Sequence, residues 1–115
     1  MRFTAAFILV VCTILAASGC GPSTFIVSKE GRAFYFGRES NSIDRILCKT
    51  GDLEQILAET NMPDELKKDF YLYSCTAQRS REKIISFYQF LTPDEREDLK
   101  RAFRRYDYVI NYVPC

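Results

Sequence analysis

Thirteen consecutive residues without a charge, Ala5 to Ala17 (AAFILVVCTILAA), constrain this chain more than any other feature. As a helix they rise about 20 Å, short of the roughly 30 Å hydrocarbon core of a bilayer, so a lasting membrane span is not expected. A buried core helix would need a cap and a polar face, and the stretch offers neither. Met1 and Arg2 supply a positive start, and Ala16, Ala17, Ser18 and Gly19 close the segment with small side chains. That order describes a removable export signal over residues 1–19. Taking these nineteen from 115 leaves 96 residues, Cys20 to Cys115, to do the folding. One domain of that size can fold alone.

The residues at the expected cut read Leu15-Ala16-Ala17-Ser18-Gly19-Cys20. They resemble the lipobox of bacterial lipoproteins, in which small residues precede an obligatory cysteine. Ala17 departs from the strongest form, which has Leu three residues before the cysteine. The resemblance implies a thioether-linked diacylglycerol on Cys20 and an acyl chain on its new amino group. Several acyl chains, each methylene contributing about 0.8 kcal/mol, hold a protein on a membrane effectively for good. Gly21 follows Cys20 where lipoproteins of the inner membrane usually carry Asp, so the implied address is the periplasmic face of the outer membrane. Residues 20–24 are then a short lipid-anchored tether and 25–115 the globular domain.

The same small residues also suit ordinary cleavage, which gives a secreted protein with Cys20 free. Cysteine parity separates the two readings. A lipidated Cys20 leaves Cys48, Cys75 and Cys115, an odd number; a free Cys20 makes four and permits two disulfides in three connectivities. In an oxidising compartment a structural disulfide is the expected use of these thiols. Cys48 is expected to pair with Cys75 or Cys115, and a bridge closing about thirty residues stabilises by on the order of 3 kcal/mol.

Two β-rich runs, Phe25–Ser28 and Ala33–Phe36, flank Lys29-Glu30-Gly31-Arg32 and predict a hairpin. A lone hairpin is marginal in water and needs a partner layer. Short helices follow. Ser42 caps one carrying Ile43, Ile46 and Leu47 that stops at Gly51, and Asp52 caps a second carrying Leu53, Ile56 and Leu57. Asn61 and Pro63 begin a third, with Leu66, Phe70 and Tyr73 as its stripe. A fourth spans Ser80 to Leu91 with Ile84, Phe87, Tyr88 and Leu91 inward. Thr92-Pro93-Asp94-Glu95 is a capping box that starts a fifth at Pro93, carrying Leu99, Ala102, Phe103 and Tyr106. Tyr108–Val113 has strand propensity and is ended by Pro114. The expected fold class is α+β: mainly helical, about five short helices, with a small antiparallel sheet formed by the N-terminal hairpin and the C-terminal strand.

The residue inventory narrows function by exclusion. The chain has no histidine, so Ser-His-Asp and Cys-His catalysis, HExxH zinc sites and CxxCH haem attachment are excluded. It has no CxxC pair and no glycine-rich phosphate loop. After loss of Arg2, fifteen Lys and Arg face fifteen Asp and Glu, which gives no general attraction to nucleic acid or to anionic lipid. Lys100, Arg101, Arg104 and Arg105 end a helix that begins with Asp94, Glu95, Glu97 and Asp98; the helix dipole favours that order, and a solvated face accounts for it. Asp64 and Glu65 form a carboxylate pair, but a domain this small offers no deep glycosidase cleft.

Consecutive aromatics, Phe34-Tyr35-Phe36 and Phe87-Tyr88-Gln89-Phe90, cannot all face one core. Tyr35 and Phe90 are the candidates for an exposed partner patch. The expectation is a lipid-anchored, non-enzymatic binding or localisation module for another envelope protein, needing no cofactor, metal, nucleic acid or small-molecule substrate. The alternative is a secreted, two-disulfide effector or inhibitor.

Overall fold

The computed structural model describes residues 23–37 and 44–114. The export signal, Cys20, the cap at Ser42 and Cys115 lie outside the described residues.

Three strands and a set of helices make the domain. Strand β1 (Thr24–Lys29) and β2 (Arg32–Tyr35) form the expected hairpin. Its two-residue turn holds Glu30 at φ 53° and Gly31 at φ 77°. Two left-handed residues in succession give a turn whose twist matches that of the strands. Strand β3 (Val109–Val113) joins antiparallel to β1, so the sheet order is β2-β1-β3 with β1 central.

A π-type helical segment, Asp44–Cys48, stands where a short α-helix was expected. Next come α1 (Asp52–Ala58), α2 (Asp64–Cys75), α3 (Arg81–Phe90) and α4 (Pro93–Arg105). The expected capping box is present: the Glu95 amide donates to Thr92 Oγ1 at 3.2 Å, and the Thr92 amide donates to Glu95 Oε1 at 2.9 Å. Ser80 caps α3 by accepting from the Lys83 amide. Two helix starts differ from expectation. Gly51, at φ 80°, holds the cap position of α1, and Asp52 is its first helical residue. Pro63 stands one place before α2 rather than inside its first turn.

Helix α4 ends in a Schellman motif without glycine. Asp107 takes the left-handed conformation at φ 66°, while the amides of Tyr108 and Asp107 donate to the carbonyls of Phe103 and Arg104, both at 3.0 Å. This reversal shortens the expected last strand by one residue and turns Tyr108 inward, 1% exposed. Its ring meets Phe103 edge-on at 6.1 Å, the apolar contact such a motif commonly carries.

The helices cover one face of the sheet. Phe25 and Val27 of β1 and Ile110 of β3 face them and are buried. Phe70 of α2 lies at the centre, with ring centroids 6.0 Å from Phe36, 5.3 Å from Phe87 and 6.1 Å from Phe103. On α2 the fully buried line is Phe70 and Ser74, while Leu66 and Tyr73 flank it half-buried. A disulfide between Cys48 and Cys75 ties the π-type segment to the end of α2, with Cys48 Sγ 3.7 Å from the Ser74 carbonyl.

Candidate functional site on the sheet's uncharged face

Strand residues alternate between faces, so burying Phe25 and Val27 turns Thr24, Ile26 and Ser28 the other way. The pairing register extends that outer face. Tyr35 and Asn111 lie opposite Ile26, Ala33 and Val109 lie opposite Ser28, and Val113 lies opposite Thr24. Asn111 Nδ2 donates to Ser28 Oγ at 3.3 Å across this face.

None of these eight residues carries a charge, although a chain that is 27% charged would place about two charges among eight positions. Four large apolar side chains are prominently exposed among the described residues. Three of them are here: Tyr35 at 44%, Val109 at 48% and Val113 at 61%. An open sheet face in water ordinarily alternates to charged or strongly polar side chains. A flat, uncharged, partly apolar surface is instead what protein interfaces present at their centres.

Tyr35 and Phe90 are both exposed, but the structure does not bring them together. Tyr35 lies beside the start of α3, its ring centroid 5.4 Å from the Arg81 guanidinium. Phe90 is the last residue of that helix, nine positions on and about 14 Å away along the axis. Val109, Val113 and Ile26 were not singled out from sequence. Their uncharged alternation is visible there, but their common face depends on the strand register.

Cys48 and Cys75, two of the three expected bridge candidates, are the bonded pair, with Cα atoms 5.6 Å apart. Arg101, Arg104 and Arg105 are exposed on α4, and Lys100 pairs with Glu97 at 3.5 Å. Among the described residues no group of three or more His, Cys, Asp or Glu is placed to hold a metal ion. No helix among them is long and apolar enough to cross a membrane.

Behind the open face a polar clamp holds β3 in position. The Tyr108 hydroxyl lies 2.9 Å from Asp52 Oδ2 and 2.8 Å from the Ile46 carbonyl, donating between them. Lys29 Nζ lies 4.4 Å from the centroid of the same ring. Burial raises the Tyr108 phenol far above its usual range, and the hydrogen bond to the Asp52 carboxylate adds to the rise. Between α1 and α2 runs a groove with Leu57, Tyr71 and Leu72 as its floor and Glu54, Lys67 and Lys68 at its rim.

No protein-family model, curated protein or solved structure matches the chain.

Proposed function

We propose that the chain is an exported, lipid-anchored envelope domain that works without catalysis, using its uncharged sheet face to bind or help localise another envelope protein. The face carries the proposal: Ile26, Tyr35, Val109 and Val113 form an apolar surface without charge on the side of the sheet away from the helices. Such a surface is tolerated in a secreted or periplasmic domain when a partner covers it. The Cys48–Cys75 disulfide supports export, because such bonds persist in oxidising compartments. The lipid on Cys20, implied by the lipobox resemblance, supplies the anchor at the membrane.

Photo-crosslinking in intact cells tests this directly. A crosslinker at Val109 should yield a discrete adduct with one envelope protein, while one at Glu65, exposed on α2, should not. Identical products from both positions, or none from Val109, would overturn the assignment of the face.

The strand register favours a second reading. Thr24 pairs with Val113, so the chain enters β1 and leaves β3 at the same end of the sheet. Cys20 precedes Thr24 by four residues and Cys115 follows Val113 by two, chain lengths sufficient for a bridge between them. With Cys48 and Cys75 already joined, a Cys20–Cys115 bridge would complete the two-disulfide secreted protein. Intact mass with and without reduction separates the readings: added diacylglycerol on Cys20 supports the anchor, and a loss of hydrogen matching two bridges supports secretion.

A further inference from the structure

The end of the sheet where the chain enters also gathers exposed apolar side chains from two other elements. Gln89 Nε2 donates to Ser23 Oγ at 3.0 Å, which fixes the first described residue against the last turn of α3. The next residue, Phe90, is 88% exposed, the most open of the large apolar side chains described. Tyr88, two positions earlier on the helix, is buried, and two steps of roughly 100° turn Phe90 to the other side. Val113, 61% exposed, pairs with Thr24 at this same end.

A cation is held there too. Arg96 donates from Nε to the Tyr88 carbonyl at 3.1 Å and from Nη2 to the Gln89 carbonyl at 2.9 Å. Its guanidinium lies 5.2 Å from the Tyr88 ring centroid and 5.4 Å from that of Tyr112. The carbonyl ends of α3 and two aromatic faces thus hold a positive charge beside Phe90.

We infer that this end is a membrane-facing surface, on which Phe90 enters the interfacial zone of the bilayer that holds the lipid of Cys20, with Arg96 beside it. The inference rests on the lipid-anchored reading. Ser23 follows Cys20 by three positions, a span of at most about 11 Å. A lipid on Cys20 therefore keeps Phe90 close to the headgroups. Aromatic side chains concentrate at that depth. The anchor would then set the orientation of the domain as well as its address.

The chain contains no tryptophan, so Phe90→Trp places a single reporter at the site. The lipidated mature protein is reconstituted in phosphatidylethanolamine–phosphatidylglycerol vesicles with or without brominated acyl chains. Emission from the Phe90→Trp protein should shift to the blue and lose intensity to the brominated lipid, as expected for an interfacial ring. Arg32→Trp, exposed at the hairpin about 17 Å along the strands from Thr24, should show neither change. A protein that carries its lipid by mass and floats with the vesicles, yet whose Phe90→Trp emission matches that of Arg32→Trp, overturns the inference and leaves the anchor standing. Emission that changes only when envelope protein is added also overturns it, by giving Phe90 to a protein partner. An unmodified Cys20 in the intact mass removes the anchor, and this inference with it.

Discussion

The two faces of the same three strands obey different rules. On the inner face Phe25, Val27 and Ile110 are buried against the helices and constrained by packing. On the outer face Tyr35, Val109 and Val113 are exposed and Ile26 is half-buried, none of them covered by the described helices, and charged residues would serve solubility as well or better. Folding explains the first face and leaves the second unexplained. Residues that folding does not require are free to serve a contact, which is the role proposed for this face.

That contrast can be broken by mutation, and the largest effect belongs inside. Phe25 is 1% exposed and packs 5.4 Å from Phe36 and 4.9 Å from Tyr88, so Phe25→Ala should lower stability by about 3–5 kcal/mol in urea titration. A cost below about 1 kcal/mol would mean that the inner face is no true core. Removing the bridge with Cys48→Ala and Cys75→Ala together opens a loop between residues 27 apart and should cost about 3 kcal/mol. For a domain of this size the melting temperature then falls by on the order of 15 °C in calorimetry.

The clamp at Tyr108 should come next. Tyr108→Phe removes a buried hydroxyl bonded to Asp52 and to the Ile46 carbonyl, at a cost of about 1.5–3 kcal/mol. It also predicts a pH dependence. The phenol is raised in the folded state, so above about pH 10 the unfolded chain gives up this proton while the folded one keeps it. The unfolded state then binds fewer protons, and stability falls as pH rises beyond that point. Urea midpoints should hold level below pH 10 and decline above it, and Tyr108→Phe should flatten the decline in part. Some slope should survive in the variant, because burial also raises Tyr88.

The smallest stability effect belongs to the outer face. Val109→Lys should change stability by no more than about 0.5 kcal/mol, since the side chain is 48% exposed. The same substitution should abolish partner crosslinking from a probe at the neighbouring Ile26. A stability loss as large as that of Phe25→Ala would show the outer face to be structural, and the contrast between the faces would disappear.

Local chemistry was legible wherever the partners are near in sequence. Thr92 and Glu95 announce the start of α4, Ser80 that of α3, and the Phe–Tyr–Phe run implies that Tyr35 points away from its neighbours. What escaped depends on atoms distant in sequence or on backbone states that residue type only biases. Asp107 takes the left-handed position that glycine more often fills, so the end of α4 carries no obvious mark. Asp52 suggests a cap, yet its carboxylate accepts from Tyr108, 56 residues away, and leaves the cap position to Gly51.

The sequence by itself determined the α+β class, the hairpin, the helical stripes and a short list of bridge candidates. Each of these follows from spacing over a few residues, where periodicity and capping act. Tertiary structure alone decided that β1 is central, that Cys48 meets Cys75, and that three exposed apolar side chains share one uncharged face. A strand carries two faces of equal standing until a neighbour sets its register and a helical layer covers one of them; only then is the other face exposed to water or to a partner.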